Sequence, residues 1–89
     1  MFVLLSRYLK PLDEVERVVG EHRAFLEKHY ASGELLISGP QNPRTGGVIV
    51  THDLTREAVD AMLANDPFVR EGIAEYQIVE FKPTRPLNV

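Results

Sequence analysis

The sequence predicts a single α+β domain in which strands and helices alternate in the order βαββαβ. Three observations indicate this fold class. Short apolar, β-rich runs occur at four places, two longer segments repeat apolar residues at helical spacing, and proline or glycine stands close to the end of most elements. Because a chain of this size fits one domain, we take residues 1–89 as a single unit.

The first strand covers residues 2–9, which are apolar and β-rich. Alternation along this strand places Ser6 and Tyr8 on one face and Arg7 on the other. Arg7 could contact a ligand as an anion clamp, and Tyr8 could do so through its phenol. An arginine on a small domain is, however, more often part of a surface ion pair.

A long helix starts at Pro11, which suits the first helical turn, and ends at about Ser32, because Gly33 can adopt the left-handed conformation that closes a helix. One side of this helix gathers apolar and aromatic residues, with His22 at its centre. The members of the stripe are Leu12, Val15, Val18, Val19, His22, Phe25, Leu26, His29 and Tyr30. An imidazole turned toward a core costs free energy unless it is paired, so His22 requires a partner.

A β-hairpin follows the helix. Its strands cover residues 34–39 and 48–51, and period-two alternation places Leu35 and Ile37 on the same face. The connection between the strands contains two prolines and two glycines, which is typical of a longer hairpin loop.

The second helix covers residues 56–65, with Thr55 as its N-cap. Asp66 and Pro67 end this helix and begin a further short helical turn, which Asp66 can cap. The fourth strand covers residues 75–82 and completes the order of elements.

Right-handed crossovers convert this order into a four-stranded antiparallel sheet with helices on one face, which is the ferredoxin-like sandwich. The strands carry apolar residues on both faces. Because two helices can cover only one face, the other face of a monomer would be a large apolar patch. We therefore expect a homodimer that packs sheet to sheet through this open face.

Composition limits the classes of function. The net charge of −3 and the scattered basic residues argue against nucleic-acid binding, and the missing cysteines exclude thiolate chemistry and cysteine-based metal sites. The apolar run that opens the chain is too short for a signal peptide or a membrane span. We therefore expect a cytoplasmic protein with no membrane partner.

Motifs for nucleotide binding, for hydrolase nucleophiles and for zinc proteases do not occur in the sequence. His29 is a possible second metal ligand beside His22. Two helical turns, about 10 Å, separate the two residues, which is too far for one ion. We therefore expect neither a metal nor an organic cofactor.

The order and spacing of several short motifs resemble the YciI (YCII) family over nearly the whole chain. The motifs are His22 in the first helix, Gly33 leading into Leu35-Leu36-Ile37-Ser38-Gly39-Pro40, Gly46-Gly47 before a strand, and Asn65-Asp66-Pro67-Phe68 with Gly72. The resemblance implies a dimeric ferredoxin-like α/β barrel, similar to muconolactone isomerases and small antibiotic-biosynthesis monooxygenases. It also implies a histidine and aspartate pair in a cleft, at His22 and Asp66, and small-ring chemistry such as elimination of a halide.

The residue types of this pair suit proton transfer independently of the family. An imidazole has a reference pKa of about 6.5, close to neutral pH, and Asp66 could hold the ring of His22 in one tautomer. We expect a small cofactor-independent enzyme that isomerises a small cyclic or carbonyl-bearing metabolite, or eliminates HX from it. The residues that could line its site are Ser38, Gly39, Pro40, Arg7, Tyr8 and Phe68.

Other interpretations stay open at this point. Asp66 could be a plain helix cap, His22 a core histidine bonded to a carbonyl, Phe68 a core residue, and the segment Ser38-Gly39-Pro40 the end of a strand. The protein would then be a non-catalytic module for ligand binding or interaction. A metal-free oxygenase is a third alternative by analogy with the related barrels, since fold alone does not fix function.

Overall fold

The computed structural model describes residues 1–85, and the predicted order of elements is confirmed in it, with the short helical turn before the last strand. The elements are β1 (Phe2–Tyr8), α1 (Leu12–Ala31), β2 (Leu35–Pro40), β3 (Gly47–Thr51), α2 (Arg56–Ala64), α3 (Pro67–Arg70) and β4 (Ala74–Glu80). Residues 86–89 of the predicted domain lie outside the described residues.

The four strands form one sheet in the order β2-β3-β1-β4, and every neighbouring pair is antiparallel. The helices cover the face of the sheet to which Phe2 and Leu4 of β1 point, and both side chains are fully buried. This is the ferredoxin-like arrangement that the sequence predicts.

The core under the helices consists of two clusters, and α1 contributes to both. The first cluster contains Phe2, Leu4, Phe25, Leu35, Ile49, Val59, Met62 and Leu63. The second contains Val15, Val18, Phe68, Ile73 and Ala74. Along α1, His22 lies between Val18 of the second cluster and Phe25 of the first.

The ends of the helices follow the local signals in the sequence. Gly33, with φ of +82°, closes α1 in the left-handed conformation that glycine tolerates best. The side chain of Thr55 accepts a hydrogen bond from the backbone of Ala58 and caps α2. Asp66 caps α3 in the same way, through the backbone N–H of Phe68.

One strand departs from simple alternation. A shift of register between Leu35 and Ile37 places Leu35 in the core and leaves Ile37 60% exposed on the opposite face. The prediction that these two residues share a face is therefore wrong, because a bulge inserts one extra residue into the ladder.

The face of the sheet away from the helices carries a continuous set of apolar side chains, as the strand composition predicts, with Arg7, Glu75 and Gln77 as polar residues at one end. The register points a set of aliphatic side chains to this open face, namely Val3, Leu5, Ile37, Val48, Val50 and Val79. Ile37 and Val79 are among the exposed large apolar residues of the chain. Within residues 1–85, no helix is long and apolar enough to cross a membrane.

The loop between β2 and β3 lies directly against the backbone of β1. The backbone N–H of Tyr8 donates to the carbonyl of Thr45 at 2.9 Å, and the side-chain amide of Gln41 donates to the carbonyl of Ser6 at 3.3 Å. A Cβ atom on Gly46 would lie 1.8 Å from the carbonyl oxygen of Ser6. Only glycine permits this approach, so Gly46 positions the loop.

We expect Gly46→Ala to lower the free energy of unfolding by about 2–4 kcal/mol, because the backbone of the loop or of β1 must move. Gly20→Ala is the matched control, since Gly20 lies exposed within α1 and a Cβ atom there would meet no heavy atom within 4 Å apart from the adjacent residues and the backbone of its own helix. It should raise the stability by about 0.5–1 kcal/mol through helix propensity. Urea unfolding of both variants checks this, and equal effects would contradict it.

Candidate functional site

His22 and Asp66 meet beneath the helices although 44 positions separate them. Nδ1 of His22 lies 2.8 Å from Oδ1 of Asp66. The side chain of Asp66 is fully buried, and that of His22 is 13% exposed. The long helix and the corner before α3 thus bring the two predicted residues within hydrogen-bond distance.

The carboxyl group of Asp66 accepts hydrogen bonds from three directions. Its Oδ1 also accepts from the backbone N–H of Phe68 at 2.9 Å, and its Oδ2 accepts from the hydroxyl of Tyr76 at 2.6 Å. Both oxygens therefore act as acceptors, which is the hydrogen-bonding role of a carboxylate. Because Oδ1 accepts from Phe68, we assign Nδ1 of His22 as the N–H donor in the pair.

Tyr76 is a member of the site that the sequence analysis missed. Burial raises the pKa of its phenol far above the ordinary value, and the charge of Asp66 raises it further. The hydroxyl therefore stays protonated and donates to Asp66. A partial signal was present in the sequence, since alternation places Tyr76 on the same face of β4 as Ile78, and a tyrosine hydroxyl that is buried on such a face needs a partner.

Aromatic packing fixes the plane of the His22 ring. The ring stacks on Phe68 with centroids 4.0 Å apart and planes inclined by 9°, and it faces Phe25 at 6.0 Å. Its Nε2 has no hydrogen-bond partner among residues 1–85, whereas every buried side-chain nitrogen and oxygen in that part of the chain has one. Nε2 is therefore not completely buried, and since Nδ1 is bound to Asp66 it is the ring nitrogen left for a ligand.

A cleft of about 290 Å³ lies beside His22, between α1 and the sheet. The residues that line it include six of the predicted site residues, which are Tyr8, His22, Ser38, Gly39, Pro40 and Phe68. Others were not predicted, among them Ser6, Val19, Leu26, Ile49 and Tyr76, with Arg23 and Arg44 as the charged members. This volume lies at the lower end of the range for ligand pockets, and it suits a small ring compound.

Arg7 is not brought into this cleft. It points to the open face of the sheet, because its neighbours Ser6 and Tyr8 point to the helices, and it pairs there with Glu75 on β4. The cation above Tyr8 is Arg44, whose guanidinium carbon lies 6.0 Å from the centre of the Tyr8 ring. Sequence periodicity could not identify Arg44, because its loop has no regular repeat that fixes side-chain direction.

Both serine hydroxyl groups of the cleft have partners within the protein. Oγ of Ser38 lies 2.6 Å from the hydroxyl of Tyr30, and Oγ of Ser6 accepts from the backbone N–H of Gly47 at 2.7 Å. Phe68 serves both as core and as wall, since it is nearly fully buried and lines the cleft.

His29 has a different partner from His22 and does not share a metal site with it among the described residues. Its Nδ1 lies 2.7 Å from Oε1 of Glu34, and hydrogen bonds from Ser32 and His29 hold the pKa of that carboxyl below its usual value. Within residues 1–85, no three histidine, cysteine or acidic side chains cluster closely enough to hold a metal ion.

Comparisons with known proteins agree with this architecture. The family model described as the YCII-related domain matches residues 1–82. Among solved structures, the chain is similar to 5-chloro-2-hydroxyhydroquinone dehydrochlorinase from Burkholderia phenoliruptrix in complex with 2,5-dihydroxybenzoquinone. The TM-score is 0.75 at 22% sequence identity, with 92% of this chain and 94% of that chain covered, and this likeness shows the fold. No curated protein matches the chain.

We expect Asp66→Ala to lower the free energy of unfolding by about 3–5 kcal/mol, because three donors lose their acceptor in a buried site. Thr55→Ala is the control, since it removes a helix cap that accepts one backbone hydrogen bond, from Ala58. That change should cost about 1 kcal/mol. Chemical denaturation of both variants gives the difference, and equal losses would show that Asp66 acts as a cap alone.

Proposed function

This chain belongs to the family of YCII-related domains, and from that premise we propose that it is a small cofactor-independent enzyme in which His22 moves a proton on a ligand bound in the cleft. The observation that carries the proposal is the unpaired Nε2 of an imidazole that lines the cleft and whose other nitrogen is bound to a buried carboxylate, at 2.8 Å. This pattern is typical of a general base with an orienting partner.

The proposed roles follow from the hydrogen bonds. Asp66 accepts from Nδ1 of His22, which leaves the lone pair of Nε2 free to take a proton from the ligand. The imidazolium that forms is then stabilised by the negative charge of Asp66. Tyr76 and the backbone of Phe68 hold the carboxylate in place. His22 is the proposed catalytic residue, and Asp66 and Tyr76 are positioning residues.

Two reactions use such a base without a cofactor. In an elimination, Nε2 takes a proton from a ring carbon, or from a hydroxyl group conjugated with a carbon that carries both hydrogen and halogen. The electron pair of the broken bond forms a new C=C or C=O double bond, any double bond between the two positions shifts, and the halide leaves with the electrons of the carbon–halogen bond. A chlorinated hydroquinone reaches this state as its keto tautomer, in which a hydroxyl proton has moved to the chlorinated carbon. In an isomerisation, the same proton returns to a different atom. The similar fold of a dehydrochlorinase favours elimination as the first reaction to test.

The lining of the cleft supports a small, planar ligand. The rings of Tyr8 and Phe68 form an apolar wall next to His22, and Ser38, Gly39 and Pro40 at the end of β2 also line the cleft. A cyclic or carbonyl-bearing compound could stack on the aromatic wall, with its acidic C–H or O–H directed at Nε2.

A non-catalytic module for ligand binding is the second candidate, and a specific observation favours it. Asp66 caps α3 through Phe68, so the carboxylate would be required for folding even without any chemistry. Such a module would bind ring compounds in the cleft and turn none of them over.

We expect His22→Asn to reduce the release of chloride from 5-chloro-2-hydroxyhydroquinone by about 10²–10⁴-fold, because general base catalysis contributes a factor of this size. Asparagine keeps a donor for Asp66 and so limits the effect on folding. His29→Asn is the matched control, since His29 lies on the same helix, is also 13% exposed and also binds a carboxylate, that of Glu34. That variant should keep its activity.

Full activity of His22→Asn would remove the proposed role of His22. If the unaltered protein binds the ring compound and releases no chloride from it, the module for ligand binding replaces the enzyme.

We also propose that two copies of the chain pack through the open face of the sheet, as the strand composition predicts. The aliphatic side chains on that face, with Val3 and Val50 on the two central strands, would be matched by the same surface on a second copy. An apolar face of this kind is costly to leave in water.

For a dimer, we expect light scattering after size exclusion to give twice the 10.1 kDa mass of the chain. The double variant Ile37→Lys and Val79→Lys places charges at both ends of the open face and should be monomeric at micromolar concentration. The double variant Leu9→Lys and Leu12→Lys changes two other exposed leucines outside the sheet and should stay dimeric. A monomeric unaltered protein would contradict the proposal.

A further inference from the structure

The charge of the cleft is opposite to the charge of the whole chain. The sequence has 13 acidic and 10 basic residues, yet among the described residues that line the cleft there are two arginines, Arg23 and Arg44, and no acidic residue. The carboxylate of Asp66 lies behind His22, fully buried, and accepts three hydrogen bonds. The residues that line the cleft therefore carry two positive charges and no negative charge in an acidic protein, although Glu16 outside the lining pairs with Arg44.

Arg44 is held at the cleft by several contacts. Its side chain pairs with Glu16 on α1 and lies over the ring of Tyr8. The backbone beside it is anchored on β1 through the bond from Tyr8 to Thr45. The guanidinium is thus positioned beside the aromatic wall before any ligand binds, which lowers the entropic cost of using it in binding.

Arg23 adds a second positive charge to the lining of the cleft. It is exposed, directly follows His22 on α1, and has no ion-pair partner within residues 1–85. A ligand in the cleft would therefore lie against an aromatic wall with two arginines at the rim. Arginine recognises planar anions through its forked N–H groups.

We propose that the cleft selects small ring compounds that carry a negatively charged oxygen, such as a phenolate, an enolate or a ring carboxylate, and that Arg44 determines this selectivity. The inference rests on the proposed function in taking the cleft as the ligand site. It adds the charge of the ligand, which the histidine and aspartate pair does not specify.

Two matched ring probes separate charge from shape. The first is 2,5-dihydroxybenzoquinone, whose acidic enol groups are ionised at neutral pH, and the second is 2,5-dimethoxybenzoquinone, which is neutral. Titration calorimetry of the full chain should give tighter binding of the anionic probe. Arg44→Gln should weaken binding of the anionic probe by about tenfold, which is typical of losing one charge-assisted contact, and leave binding of the neutral probe unchanged.

Arg17→Gln is the control for net charge. Arg17 is exposed on the same helix as Arg23, pairs with Glu14 and Glu71, and lies outside the cleft lining. Its substitution should leave both affinities unchanged. Three results would overturn the proposal. The unaltered protein could bind the two probes with equal affinity, Arg44→Gln could weaken the binding of both probes equally, or neither probe could bind.

The same variants distinguish this inference from the enzyme proposal. If chloride release depends on His22 while Arg44→Gln binds both probes as the unaltered protein does, charge selection fails and the enzyme stands. If anion binding depends on Arg44 while chloride is never released, the enzyme fails and the anion site stands.

Discussion

The buried carboxylate of Asp66 is the point at which three elements of the fold meet. Removing a carboxylate from water costs several kcal/mol unless its oxygens find donors. Here the donors come from His22 on α1, the backbone of Phe68 on α3 and Tyr76 on β4. Each donor belongs to a different element, so the carboxylate can be buried at low cost only when all three elements are in place.

The same carboxylate also fixes the histidine in two ways. Its hydrogen bond determines which ring nitrogen of His22 is left free, and its cap on α3 positions Phe68, whose ring stacks on His22 at 4.0 Å. The tautomer and the plane of the imidazole therefore both depend on Asp66. A base that is held in this way loses little freedom when a ligand arrives.

Signals that act over a few residues made most of the fold predictable. Gly33, Thr55 and Asp66 end or cap helices through contacts with their own neighbours, and the structure has these contacts. The bulge between Leu35 and Ile37 was not predictable, because strand alternation assumes an unbroken ladder.

The candidate site was predictable only in part, because its contacts join residues that lie far apart in the sequence. Periodicity placed His22 on the buried side of α1, but the family resemblance, and not any local rule, identified a partner 44 positions away. Alternation places the phenol of Tyr76 on the same face of β4 as Ile78, but it does not identify Asp66 as the hydrogen-bond partner. The direction of the Arg44 side chain depends on how its loop lies on β1. Long-range pairs and irregular loops are the features that a single sequence specifies least.

The central strand β1 connects the chemistry of one face of the sheet with the packing of the other. Ser6 and Tyr8 line the cleft, whereas Val3 and Leu5 point to the open face. A strand cannot slip by one residue without exchanging its two faces, so contacts on either face fix its register. A second copy packed on Val3 and Leu5 would therefore also hold the floor of the cleft, although the histidine and aspartate pair lies entirely within one chain.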